Sequence, residues 1–264
     1  MAKPYQIMGV INANDDSFYK QSRFTDSEAI AKLETMIEEG ADIIDIGGVS
    51  SRPGSKAVSE LEELQRLKPI LDAIYAQKLY EKVELSLDSY SPLSLSYAFE
   101  RGFHIVNDIH GLEDDAVCKL VSEYDAKVVI MHMQGRPETM QKRPNYNNLL
   151  EEIESFFKER IQKAEAFGIK EIVLDVGIGF GKTLEDNLTL IKKMAHFKTL
   201  SKELLIGASR KAMINALSPC APEDRLAGTL ALHLKAFDNG ASIIRCHDVK
   251  EHVQAFKVHH ALQQ

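Results

Sequence analysis

The chain predicts an α/β fold, a single (β/α)8 TIM barrel, and three observations carry that prediction. Short apolar stretches alternate with longer amphipathic ones, and the cycle runs eight times. The short stretches hold apolar residues almost without alternation, as in Ile43-Ile44, Val128-Val129-Ile130 and Ile243-Ile244, which suits parallel strands covered on both faces. Gly40, Gly102, Gly168 and Gly240 each stand just before the next strand, where a helix C-cap belongs.

In chain order the strands are predicted at Gln6–Asn12, Asp42–Gly47, Val83–Asp88, His104–Asp108, Lys127–His132, Glu171–Asp175, Leu204–Gly207 and Ser242–His247. Helical patterns lie between them. Over Thr25–Glu39, Ala29, Ile30, Leu33, Met36 and Ile37 recur at three- and four-residue spacing behind a Thr25 or Asp26 cap. Leu226, Leu230, Leu234 and Phe237 form a similar stripe late in the chain. No linker or low-complexity tract interrupts residues 1–264, which are read as one domain. At 264 residues and 44% hydrophobic the chain can bury one large core.

A net charge of -7 without a basic run argues against nucleic acid or an anionic membrane as partner, and points to small molecules. No apolar run approaches a membrane span, and the first strand begins too early for a signal peptide, so the expected location is cytoplasmic. Cys118, Cys220 and Cys246 form neither a disulfide framework nor a zinc pattern.

In such a barrel the site is built at the C-terminal ends of the strands. Here those ends read Asn12, Asp45 with Gly47-Gly48, Asp88, Asn107-Asp108, His132, Asp175, Ser209-Arg210-Lys211 and Arg245-x-His247-Asp248. A rim serving stability alone does not need so many ionisable groups, since each costs desolvation unless paired. Arg245, His247, Lys211, Arg52 and Asn12 suit a phosphate or diphosphate. Asp88, Asp175 and Asn107 suit the amino and ring N–H edges of a nitrogen heterocycle. Asp45 and Asp108 fit either a turn cap or an ion pair with a barrel-end cation. His132, between Met131 and Met133, reads as an internally hydrogen-bonded core histidine. The Glu60-Leu61-Glu62-Glu63 and Glu151-Glu152 runs read as solvated helix faces.

The sixth strand runs into the glycine-rich stretch Leu174–Thr183, LDVGIGFGKT. It is not a P-loop, because Val176 stands where the first glycine is needed, and not a dinucleotide fingerprint, because Lys182 stands where the third is needed. Lys182 and Thr183 are expected to open the following helix.

The ordered set of segments resembles the dihydropteroate synthase family of pterin-binding enzymes nearly end to end. It includes Met8-Gly9-Val10-Ile11-Asn12, Asp16-Ser17-Phe18, Asp42-Ile43-Ile44-Asp45-Ile46-Gly47-Gly48, Ser50-Ser51-Arg52-Pro53-Gly54, Ser86-Leu87-Asp88, Asn107-Asp108-Ile109, Met131-His132-Met133, Gly177–Thr183, Ser209-Arg210-Lys211 and Arg245-Cys246-His247-Asp248. The resemblance implies a pterin site at the C-terminal ends of the strands. It implies condensation of 6-hydroxymethyl-7,8-dihydropterin diphosphate with 4-aminobenzoate in folate biosynthesis, giving 7,8-dihydropteroate and diphosphate. Asp88, Asn107, Asp175 and Lys211 would hold the pterin, with Ile109, Met131 and Phe180 as apolar walls and Gly179 letting the backbone approach the ring. Arg245, lying against the ring, would receive the diphosphate with His247 and Asn12, the last through a magnesium ion. Ser51, Arg52 and Pro53, with the loop carrying Asp16 and Phe18, would close over the aminobenzoate. A homodimer packed through late helices is also implied. Asp88, Lys211, Arg245 and His247 are thus the implied catalytic set.

Several positions depart from the family pattern: Asn14-Asp15, Val49, Ser51, Ser89, Val176 and Ala212 stand where Thr-Pro, Glu, Thr, Thr, Pro and Ser are usual. Most fall around the aminobenzoate loops. Two further readings use the same residues: a pterin-binding paralogue without turnover, and a pterin-dependent methyltransferase domain, which has no need of the Arg245 and His247 pair.

Overall fold

The structure is a computed structural model that describes residues 3–12, 26–49, 54–55 and 58–263. Its strands are β1 (Gln6–Asn12), β2 (Ile43–Gly47), β3 (Glu84–Asp88), β4 (Ile105–Asp108), β5 (Lys127–Met131), β6 (Ile172–Asp175), β7 (Glu203–Ile206) and β8 (Ile243–Cys246). They pair in parallel in chain order, and β8 pairs back to β1, closing the barrel. Around it lie α1 (Asp26–Glu39), α2 (Glu60–Ala76), α3 (Pro92–Phe99), α4 (Asp115–Glu123), α5 (Leu149–Ala166), α6 (Leu184–Lys192), α7 (Ala212–Leu217), α8 (Leu226–Asp238) and α9 (Val249–Ala261).

Local chemistry sets where the helices begin and end. Ser59, Ser91, Asn148 and Thr183 each accept a hydrogen bond from a first-turn N–H of the helix they precede, which answers a donor the helix itself cannot satisfy. Thr183 and Asp186 answer each other's backbone N–H in a capping box, so Thr183 does open α6 as expected. The four glycines foreseen as C-caps all stand at positive φ, from 83° to 106°.

The strand period then positions the site. Met8, Ile43, Ile105, Val129, Val173, Leu205 and Ile243 form a separate apolar cluster inside the barrel, each almost wholly buried. Side chains on a strand return to the same face every second residue. Two residues beyond this plug, on the same inner face, come Asp45, Asn107, Met131, Asp175 and Arg245. The ring of chemistry therefore stands directly on the ring of hydrocarbon. A second, larger cluster packs the outer strand faces against the helices, with Leu33, Leu67, Leu71, Phe157, Phe197 and Phe256 fully buried.

Strand existence and order agree with the sequence reading, while individual ends shift by one residue. His132 has left β5, although its N–H still donates to Asp175 O at 2.9 Å. The Glu60–Glu63 run is not uniformly solvated: Glu63 is only 4% exposed, and burial pushes its carboxyl up while the Ser89 and Ser94 hydroxyls pull it back. One helical turn beyond Glu60, it faces the barrel, and a count of charges along the sequence does not distinguish that face. No described helix is long and apolar enough to cross a membrane.

Phe157 on α5 meets Phe197 edge-on, with ring centroids 5.7 Å apart and planes at 89°. Phe157→Ala should lower unfolding free energy by about 3–5 kcal/mol in urea titration, the cost of an aromatic-sized cavity. A loss below about 1 kcal/mol would show that this layer collapses around the gap.

Candidate functional site

The deepest polar group at the barrel mouth is Asp45, which is fully buried. Its carboxylate accepts from Ser86 Oγ at 2.6 Å, from Asn107 Nδ2 at 3.0 Å and from Arg245 Nε at 2.6 Å. The Arg245 guanidinium also donates to Asp88 Oδ2 at 2.7 Å. One arginine on β8 thus serves carboxylates on β2 and β3. Burial works against its charge, yet Asp45 and Asp88 together hold Arg245 above its ordinary value. Asp88 is raised to about 7 by burial, against the pull of Arg245 and with Asp45 and Glu63 adding repulsion. It can therefore change its protonation near neutrality as its surroundings change.

Opposite stands a second pair. Burial raises Asp175, while Lys211 and the Gly177 N–H, which donates to its Oδ1 at 2.8 Å, oppose the rise. Burial lowers Lys211 to about 8 against the attraction of Asp175. Its ammonium donates to the Ile178 carbonyl and lies 4.7 Å from the centre of the Phe180 ring. Gly207 separates the pairs: a Cβ there would lie 3.9 Å from both the Arg245 side chain and Asp175 Oδ2.

The glycine-rich stretch after β6 presses its backbone onto the loop after β5. A Cβ on Gly177, at φ 67°, would collide with the His132 carbonyl oxygen, so no larger residue fits. Lys182 turns inward, only 3% exposed, and donates to the carbonyls of Phe180 at 2.9 Å and His132 at 3.2 Å, with His132 Nδ1 at 3.1 Å. Burial lowers Lys182 to about 7. Burial and the Lys182 charge push His132 down to about 2, so its Nδ1 accepts and its proton sits on Nε2. His132 is thus the internally bonded histidine that was expected. The N–H of Gly179 donates to Asn187 Oδ1 at 2.7 Å, and Gln141 Nε2 donates to its carbonyl at 2.6 Å, fixing the peptide beside Phe180. A cavity of ≈ 450 Å³ opens here, lined by Ile178, Gly179, Phe180, Lys211, Ala212 and Met213 among others.

The loops after β7 and β8 are tied across. Ser209 Oγ accepts from the His247 N–H at 3.3 Å and lies 2.9 Å from its Nδ1. Arg210, at φ 55°, grips the Asp248 carboxylate through Nε at 2.9 Å and Nη2 at 2.6 Å. Burial, with Arg245 adding repulsion, lowers His247 to about 4.

Asp88, Asn107, Asp175 and Arg245 therefore stand together at the strand ends, and Lys211 on the loop after β7 brings its charge to Asp175. Ile109 and Met131 are buried at the ends of β4 and β5, and Phe180 and Gly179 lie at the edge. Asn12 ends β1 in register with Gly47, itself in register with Asp88. Asp16, Phe18, Ser51, Arg52 and Pro53 lie outside the described residues. Asp45 takes the ion-pair alternative, while Asp108 takes the turn cap, accepting from the N–H of His110 at 2.7 Å and Leu112 at 2.8 Å. Lys182 and Asn187 escaped the sequence reading as parts of the site's support. A lysine directly after a glycine turn and an asparagine inside α6 carry no periodic signal of burial.

A family model described as pterin binding enzyme matches residues 8–247. A bifunctional dihydropteroate synthase/dihydropteroate reductase of Helicobacter pylori is 42% identical over 98% of this chain and 68% of its own length. Among solved structures, a Yersinia pestis dihydropteroate synthase in a sulfonamide drug complex superposes with TM-score 0.91 at 36% identity, covering 98% of this chain and 94% of that one. A Xanthomonas albilineans dihydropteroate synthase with 4-aminobenzoic acid gives TM-score 0.90 at 36% identity, covering 98% and 93%.

The histidines make acid stability informative. An unfolded imidazole takes up its proton as pH falls through about 6.5, whereas folded His247 does so only near about 4. Its stabilisation is thus fully present above about pH 6.5 and is lost as pH falls from there toward about 4. Asp88 and Asp108, both raised, titrate in the opposite sense, so the comparison needed is with His247→Asn. Between about pH 7 and about pH 5 the parent protein should lose about 1 kcal/mol more than this variant in urea titrations, allowing for partial exposure. Equal losses would show that His247 titrates normally.

Proposed function

The chain belongs to the pterin-binding enzyme family, among its dihydropteroate synthases, and from that premise we propose which of its residues perform the condensation. The activity is transfer of the (dihydropterin-6-yl)methylene unit from the diphosphate oxygen to the amino nitrogen of 4-aminobenzoate, releasing diphosphate, in folate biosynthesis. The observation that carries the assignment is the gathering of Asp88, Asn107 and Asp175 at the strand ends above the apolar plug, with Arg245 bridging Asp45 and Asp88 and the Lys211 charge acting on Asp175.

Asp175 and Asp88 take the amino and ring N–H edge of the pterin, Asn107 takes a further ring edge, and Lys211 donates to a ring acceptor. Ile109, Met131 and Phe180 bound the ring with hydrocarbon, and the backbone at Gly179 lies close. Arg245 and His247 receive the diphosphate, where negative charge grows as the carbon–oxygen bond breaks. The carbon left behind is an electron-poor methylene conjugated to the ring, and a carboxylate at Asp88 stabilises that positive character. The electron pair of the bond leaves with diphosphate, and the arylamine nitrogen then forms the new carbon–nitrogen bond and sheds a proton. An arylammonium is a strong acid, so no strong general base is assigned.

Magnesium fits this donor set as a companion of the diphosphate. The described residues contain no group of three or more His, Cys, Asp or Glu able to hold a metal ion, and Asn12 offers one neutral amide oxygen beside the mouth. Such a site suits a cation that keeps its waters and the phosphate oxygens, and when bound it would neutralise charge on the leaving group. Ser51, Arg52, Pro53, Asp16 and Phe18 are proposed to enclose the aminobenzoate. Leu226, Leu230, Leu234 and Phe237, half-buried along α8, are proposed to contribute to contact with a second copy of the chain.

Diphosphate release from dihydropterin diphosphate, 4-aminobenzoate and magnesium measures the assignment directly. Asp88→Ala should lower turnover by at least about tenfold, equivalent to roughly 1.4 kcal/mol of transition-state stabilisation, and removal of magnesium by chelation should lower it as well. Near-normal turnover of the variant would remove Asp88 from its role, and turnover indifferent to chelation would remove the metal.

A further inference from the structure

Two histidines that take no part in this chemistry are wholly buried beneath it. His233 on α8 and His252 on α9 are both 0% exposed, and His233 Nδ1 lies 2.9 Å from His252 Nε2. Their neighbours determine where each proton sits. The Ala208 N–H donates to His233 Nε2 at 3.0 Å, so that nitrogen carries no proton. In a neutral ring the proton is then on Nδ1, which donates to His252 Nε2. His252 keeps its own proton on Nδ1, which donates to the Asp248 carbonyl at 2.6 Å. The chain of donors runs one way, from the loop after β7, through two helices, to the residue that precedes α9.

Such a chain closes only when both rings are neutral, because an added proton would set two donors face to face. Burial drives both rings below the ordinary imidazole range. Lys211 and His247 reinforce this for His233, while Asp248 and Glu251 oppose it for His252. An apolar pair of the same volume would fill the space but leave the Ala208 N–H without this acceptor.

The two ends of the chain are the loop after β7, which carries the pterin candidate Lys211, and the loop after β8, which follows the diphosphate candidates Arg245 and His247. Ala208 leads into Ser209, Arg210 and Lys211, and Asp248 follows Arg245 and His247. Arg210 and Asp248 join these loops from the outer side, and Ser209 and His247 join them at the rim. We propose that His233 and His252, as a proton-ordered neutral pair, are positioning residues that set the spacing between the β7 and β8 loops and thereby the affinity for the diphosphate group. The proposal rests on the synthase reading for its ligand, and on the hydrogen-bond geometry alone for its proton order.

Three measurements test it. In the unmodified protein, nitrogen-15 NMR of the histidine rings should show His233 and His252 neutral with the proton on Nδ1 from about pH 8 down to about pH 6, where an exposed histidine titrates. Calorimetric binding of inorganic diphosphate with magnesium should weaken about fivefold in His233→Leu, the scale of one lost hydrogen bond. Steady-state kinetics should show the same rise in KM for the dihydropterin diphosphate, with less than about twofold change for 4-aminobenzoate. His233→Gln keeps an acceptor and a donor and should recover most of the loss. An Nε2-protonated tautomer for either ring overturns the proposal. So do unchanged diphosphate binding in the leucine variant, equal rises in both KM values, or a glutamine variant as impaired as leucine. Absence of turnover in the unmodified protein would instead overturn the synthase reading, leaving ring NMR and diphosphate binding to judge the pair.

Discussion

The arginine shared by Asp45 and Asp88 is the constraint on which the rest of the barrel mouth depends. Two carboxylates close together in a buried setting repel each other and resist desolvation, so they are tolerated there only with a cation between them. Arg245 supplies it, with distances of 2.6 and 2.7 Å, while Ser86 and Asn107 answer the remaining capacity of Asp45. The contacts span four strands: β2, β3, β4 and β8. A rigid base is needed to hold them in place, and the apolar cluster below provides it, since packed hydrocarbon deforms little. The arrangement leaves Asp88 with one strong partner rather than three, so burial is opposed less at Asp88 than at Asp45.

Much of this was legible in the sequence because it rests on periodicity and position. Near-continuous apolar runs disclosed the parallel strands, and the polar residues ending them disclosed the mouth. Asp88, Asp175 and Arg245 each end or nearly end such a run, and they meet where the barrel topology brings strand ends together. The pairing of Arg245 with Asp45 across 200 residues of chain was only one of two readings, because sequence cannot say which carboxylate a given cation reaches. Glu63 was misread for a related reason: a run of acidic residues resembles a solvated face unless the helix phase relative to the barrel is known. Lys182 and the buried histidines were harder still, since their partners are largely backbone groups and each other, and such partners have no residue-type signature.

The glycine-rich stretch after β6, already excluded as a P-loop by its spacing, owes its glycines to packing. Its glycines suggest a cradle for phosphate, but the tightest contacts are with protein: Gly177 against the His132 carbonyl and Gly181 against that of Gln134. With Lys182 bonded beneath and Asn187 and Gln141 holding the Gly179 peptide from either side, the stretch is a flat, stiff wall rather than a loop that wraps an anion. A planar ring suits such a wall, and the Phe180 side chain and Lys211 continue it.

The two-residue step between the hydrocarbon ring and the ionic ring acts as a ruler along each strand. Ile43 and Asp45, Ile105 and Asn107, Val173 and Asp175, and Ile243 and Arg245 repeat one interval on alternate strands. The upper mark faces whatever enters the mouth, while the lower mark closes the barrel beneath it. A single-residue insertion between the marks would rotate one member of the ionic ring out among the helices. The length of each strand is thus held more tightly than any one side chain along it, because a change of length displaces every mark above it at once.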